Sequence, residues 1–136
     1  MQMYRLQKYL LIIVSLFFIS TSLLAQKNNI EIINKSILKM DHSGLHNYFN
    51  QTISIRLLKS YGKYSKVQAR YLLSDFFKKH PVKSLEDLKS GAFESNQNYC
   101  ILLYKTSSNN YRFYYRFTDK EDEIFIKEIQ IREIVE

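Results

Sequence analysis

Residues 64–81, YSKVQARYLLSDFFKKHP, hold the segment on which the fold turns. Ser65 and Gln68 stand at the spacing of a capping box, in which each side chain satisfies a backbone donor of the other at a helix start. The apolar residues Ala69, Leu72, Leu73, Phe76 and Phe77 then recur at helical period, so a helix over 66–79 buries one stripe. Pro81 ends it, because proline cannot continue the hydrogen-bond ladder. Lys78, Lys79 and His80 suit the negative end of that helix.

Downstream the period changes from 3.6 to two. Residues 99–106, 111–118 and 124–135 are rich in β-branched and aromatic residues, and 107–110 and 119–122 are turn-forming links, so two consecutive hairpins are expected. Tyr111, Phe113, Tyr115 and Phe117 share one face of the middle strand, and Arg112, Tyr114 and Arg116 the other. The last strand sets Ile129 and Ile131 against Glu128, Gln130 and Arg132. A short edge strand is expected over 84–90.

Upstream, Ile30, Ile33, Ile37 and Leu38 predict a helix over 28–40, followed by a short helix capped by Ser43 and carrying Leu45, Tyr48 and Phe49. A half-buried strand begins at Thr52, with Ile53, Ile55 and Leu57 on one face and Ser54 and Arg56 on the other. Tyr61-Gly62-Lys63 reads as a turn. Helices, a strand, a central helix and an antiparallel meander make an α+β pattern with helices packed on one face of a curved sheet.

The first residues read as an export signal: Arg5 and Lys8, an apolar run from Leu10 to Ile19, and a small residue, Ala25, before the expected cut. The run is shorter than the roughly 20 residues of a membrane helix. Residues 1–25 are thus expected to be a signal peptide and 26–136 a single domain, periplasmic or secreted, with no stable membrane insertion once the signal is removed. An uncut N-terminal anchor is the alternative. The full chain has 136 residues and a formal net charge of +7, of which the signal carries two basic residues and no acid. Cys100 is the one cysteine, which excludes an internal disulfide and a cysteine-rich zinc site. Three glycines and one proline exclude a Gly-rich phosphate loop.

Four stretches, HNYFNQTISI (46–55), YSKVQARYLLSDFFKKHP (64–81), NNYRFYYRF (109–117) and IKEIQIRE (126–133), resemble an exported bacterial family, domain of unknown function 4783. The element order is similar to the nuclear transport factor 2-like, or cystatin-like, cone. The resemblance implies N-terminal helices and a central helix packed on a curved, mainly antiparallel sheet. It implies no reaction.

Inside such a cone, Phe113 and Tyr115 with Tyr71 and Tyr99 are the candidates to line a pocket for a small apolar ligand. The alternative is that these rings fill the core. Enzymes of the cone type place carboxylates inside it. Here Asp75 is the one helical candidate, and Lys79 four residues on offers it an ion pair instead. Asp41-His42-Ser43 holds the residue types of a hydrolase triad but reads as a capped turn, because triad members are assembled in space. His42 and His46 have helical ligand spacing without a third ligand nearby. No catalytic residue, metal site or cofactor is assigned.

Arg56, Arg112, Tyr114, Arg116 and Arg132 share the polar sheet face and are the candidates for contact with a protein partner or a second copy. An ion pair from Glu128 to one of these arginines is the alternative use. Nucleic acid is not expected behind an export signal. The sequence thus reads as a non-catalytic binding or scaffolding module. Its competitors are a small-molecule enzyme of isomerase or hydrolase type using the cone, and a purely structural dimer.

Overall fold

The computed structural model describes residues 2–94 and 96–135, with the backbone alone for 18–27. Helix α1 spans Gln2–Leu38, α2 His42–His46 and α3 Lys66–Lys79; the strands are β1 Phe49–Leu57, β2 Ser60–Ser65, β3 Ser84–Glu94, β4 Gln97–Lys105, β5 Asn110–Lys120 and β6 Glu123–Ile134. They form one six-stranded sheet in the order β2-β1-β6-β5-β4-β3. The β1–β6 pair is parallel and the other neighbours are antiparallel.

All three helices pack on one sheet face. Ile30, Ile33 and Ile37 of α1, Leu45 of α2, and Ala69, Leu73, Phe76 and Phe77 of α3 meet the inward residues of β1, β4, β5 and β6 in one core. The expected stripe of α3 is observed, with Leu72 only partly buried beside it. The capping box is formed in both directions: Gln68 N donates to Ser65 Oγ at 3.3 Å and Ser65 N donates to Gln68 Oε1 at 3.0 Å. At the other end, the Tyr104 hydroxyl donates to the carbonyl of His80 at 2.6 Å, and the Tyr111 hydroxyl lies 2.9 Å from His80 Nδ1. Two sheet tyrosines therefore hold the last turn of the central helix.

The structure corrects several boundaries. Helix α1 runs unbroken where a separate helix over 28–40 was expected, because no glycine or proline stands in the connecting sequence to stop it. The expected cut after Ala25 falls among residues whose side chains are not described. Among the described residues, no helix is long and apolar enough to cross a membrane. The cap of α2 is Asp41, which accepts from Gly44 N at 2.9 Å, and not Ser43. Strand β1 starts at Phe49, three residues before Thr52.

Tyr61-Gly62-Lys63 is strand and not turn. Gly62 pairs opposite Ile55 in β2, and the reversal lies earlier, where Leu58 takes φ 55°. Strand β3 extends to Glu94 and bulges between Asp87 and Lys89, which leaves Leu88 exposed. Between β5 and β6, Glu121 and Asp122 both adopt positive φ, the geometry that lets a two-residue turn follow the twist of its strands.

Candidate functional site

The side of the sheet away from the helices forms the candidate site, since no element among the described residues covers it. Cross-strand register sorts its residues into rows. One row runs Tyr61, Arg56, Gln130, Tyr114, Ile101 and Lys89; the next runs Lys63, Ser54, Glu128, Arg116, Tyr99 and Gly91; a third runs Arg132, Arg112, Leu103 and Glu86. All five expected partner-face residues, Arg56, Arg112, Tyr114, Arg116 and Arg132, are on this face together. Their situations differ.

Arg116 is engaged. Its Nε donates to Glu128 Oε2 at 3.2 Å across the β5–β6 pair, and its Nη1 donates to Gln97 Oε1 at 3.4 Å. The guanidinium of Arg56 lies 4.9 Å over the Tyr61 ring, a contact between cation and π-face. Arg112 and Arg132 stand directly opposite each other and border a hollow of about 170 Å³ completed by Tyr114 and Gln130. Burial and the nearby Glu128 push the Tyr114 hydroxyl above its ordinary pKa, so it stays a neutral donor at physiological pH.

Of the expected pocket residues, Phe113 and Tyr115 lie on the inner face, each 0% exposed, within the packed core. The Tyr115 hydroxyl donates to Asn34 Oδ1 at 2.8 Å and is pushed up in pKa by burial and by the neighbouring Cys100. Tyr71 and Tyr99 are not with them. Tyr71 is 70% exposed, because its position on α3 points away from the buried stripe. Tyr99 is on the opposite sheet face, stacked 6.3 Å from Tyr114 and tilted 4.8 Å from Phe93. Its ring lies over Gly91, where a Cβ would come within 3.0 Å of it. The four rings therefore do not converge on one cavity.

A larger hollow of about 740 Å³ opens where α3 ends, between the β1–β2 turn and the end of β6, with Leu57, Leu58, Phe76 and Arg132 in its lining. Sequence reasoning missed it, because it joins three segments distant in the chain. The positive φ of Leu58 could not be read from a leucine. On its wall Asp75 pairs with Lys79 at 3.0 Å.

The histidines have local uses. His42 Nδ1 accepts from Arg70 Nε at 3.2 Å, and Ser43 Oγ accepts from Arg70 at 2.8 Å, so Arg70 ties α2 to α3. Burial, with Lys66 and Arg70 nearby, lowers the pKa of His46. Among the described residues, no three His, Cys, Asp or Glu side chains cluster as a metal site.

A family model described as domain of unknown function, DUF4783, matches residues 30–132. The chain belongs to this family. A DUF4783 family protein from Bacteroides uniformis superposes with a TM-score of 0.72 at 19% identity, covering 78% of this chain and 97% of that one. An NTF-2 like protein of unknown function from Silicibacter pomeroyi gives 0.60 at 9% identity, with 85% and 98% covered. A domain with a cystatin-like fold from Nostoc punctiforme gives 0.63 at 13%, with 82% and 79% covered. No curated protein matches the chain. At these identities the likeness carries fold alone: this DUF4783 chain has the α+β, nuclear transport factor 2-like architecture, with helices packed on a curved mixed sheet.

Proposed function

We propose that this DUF4783 domain is an exported, non-catalytic binding or scaffolding module whose working surface is the open face of its sheet, where it meets a protein partner. One observation carries the reading: Tyr99, Ile101, Leu103 and Tyr114 are half-buried on a face that also presents Arg56, Arg112 and Arg132, while every helix packs on the other side. Tyrosine and arginine beside apolar side chains are what protein interfaces enrich.

The reading of an apolar ligand held inside the cone, by an enzyme or a carrier, has less support. The inner tyrosine hydroxyls of Tyr104, Tyr111 and Tyr115 are engaged by His80 and Asn34, and the rings between them touch one another, as with Tyr104 and Phe113 at 6.1 Å.

Export, to the periplasm or outside the cell, is supported by the N-terminal part of α1. Leu10, Leu11, Ile13 and Leu16 are each more than 60% exposed, so the folded domain makes little use of them. N-terminal sequencing of protein from its own host should find Gln26 first, in the periplasmic or extracellular fraction. Intact Met1 on a cytoplasmic pool would overturn the address.

The surface is tested by Ile101→Gln with Leu103→Gln, which remove the apolar contacts and leave the charge of the face unchanged. Native mass spectrometry of host-purified protein should show a complex for the parent chain and none for the variant, at a nearly unchanged thermal midpoint. A complex that survives both substitutions would remove the open face from the reading.

A further inference from the structure

Arg112 and Arg132 occupy directly opposed positions on neighbouring antiparallel strands. Like charges so placed repel. The same two strands show the ordinary solution four residues along β5, where Arg116 faces Glu128 and bonds to it at 3.2 Å. Neither Arg112 nor Arg132 has an ion-pair partner among the described residues. Between them, with Tyr114 and Gln130, lies the hollow of about 170 Å³, and Arg56 stands across from Gln130 on the next strand.

We propose that Arg112 and Arg132 form a two-guanidinium clamp that takes one carboxylate, an aspartate or glutamate side chain, from an acidic segment of a partner protein. The proposal rests on the reading of the open sheet face as the working surface, and it names the chemistry of the occupant. Guanidinium groups present planar forks of N–H donors that match a carboxylate, and they keep their charge at any physiological pH. A bound carboxylate relieves the repulsion that the register imposes.

The rest of the face selects among anions. The neighbouring acids are already neutralised, Glu128 by Arg116 at 3.2 Å and Glu86 by Lys105 at 3.7 Å, so the unneutralised charge between them is the Arg112–Arg132 pair, which suits a single carboxylate better than a continuous polyanion. Ile101 and Leu103 beside the clamp offer apolar contact to the neighbouring side chains of a peptide segment. A second copy docked through the same face would bring an identical patch against it, since two-fold interfaces are self-complementary. Four arginines would then crowd one contact.

The test uses a fluorescein-labelled, C-terminally amidated Gly-Leu-Glu-Leu-Gly peptide, with Gly-Leu-Gln-Leu-Gly as the neutral counterpart, followed by fluorescence anisotropy against the full chain at low ionic strength. Saturable binding of the glutamate peptide alone is expected. Arg112→Gln and Arg132→Gln should each weaken it about tenfold, as loss of a charge-assisted bidentate contact does, whereas Lys89→Gln on the same face should change it less than about twofold. Circular dichroism confirms that each variant is folded.

Absence of saturable binding by the parent chain, or equal losses in all three variants, would overturn the clamp. Tighter binding of tripolyphosphate, read by competition with the glutamate peptide, would also overturn it, in favour of a polyanion. The sheet-face reading fails separately: the paired Ile101 and Leu103 substitutions leaving a native complex intact would sink that reading. A complex lost there without peptide binding removes the clamp alone.

Discussion

The Tyr115 hydroxyl on β5 donates to Asn34 Oδ1 on α1 at 2.8 Å, and the Asn34 amide donates in turn to Asp87 Oδ1 on β3 at 2.8 Å. This relay crosses from one strand to another through the first helix. It fixes α1 over the sheet with a direction that apolar packing of Ile30, Ile33 and Ile37 alone does not impose. Tyr115→Phe keeps the ring and removes the donor. It should lower the unfolding free energy by about 1 kcal/mol, measured by urea denaturation, and an unchanged midpoint would show the bond to be dispensable.

The start of α3 depends on a reciprocal pair of side-chain bonds between Ser65 and Gln68. Ser65→Ala should cost about 0.5 to 2 kcal/mol. Hydrogen exchange offers a second readout, since the amide of Gln68 loses its acceptor and should exchange faster, while amides late in α3, near the two tyrosines that hold His80, should change less.

The two sheet faces should respond in opposite ways. Phe113 is wholly buried, so Phe113→Ala should cost about 3 to 5 kcal/mol. Arg112→Ala on the open face should fall within about 0.5 kcal/mol of the parent. Similar losses at the two positions would overturn the assigned faces.

Arg132→Glu places an acid opposite Arg112 and turns a repelling pair into an attracting one. A gain of about 0.2 to 1 kcal/mol is expected from a cross-strand pair, and it should shrink in high salt. Thermal unfolding at two ionic strengths measures it; destabilisation in both would mean that the two side chains do not face each other.

Alkaline pH should destabilise the fold through its buried acids. Burial pushes the Cys100 thiol from 9.0 up to about 11, and burial likewise raises Tyr104 and Tyr115. Below the unfolded thiol value both states are protonated and the contribution is fully present. Between about pH 9 and 11 the unfolded state releases its proton first, so stability falls as pH rises. Cys100→Ala should flatten that decline over pH 9 to 11 in denaturation curves, and a parallel decline in both proteins would refute the assignment.

Local patterns determined a good part of this protein. The capping box and apolar stripe of residues 65–77, and the strict alternation from Tyr111 to Phe117, were legible because helical and strand periods are properties of consecutive residues. The arginine face was legible for the same reason: Arg112, Tyr114 and Arg116 alternate with buried rings within one strand.

The relations between segments were decided by the tertiary structure. Alternation tells which residues of a strand share a side, but not how one strand's phase relates to the next, so the sequence alone does not separate Tyr99 from Phe113, whereas the β4–β5 register sets them on opposite faces. The same holds for Gly62, whose place opposite Ile55 depends on a partner strand. Whether an arginine is neutralised or left against a like charge also depends on pairing. The register of β5 on β6 gives Glu128 to Arg116 and Arg132 to Arg112, and a slip of one residue would reverse every face. Register is a contact between residues far apart in the chain, set by what each strand buries, and no window of sequence contains both sides of it.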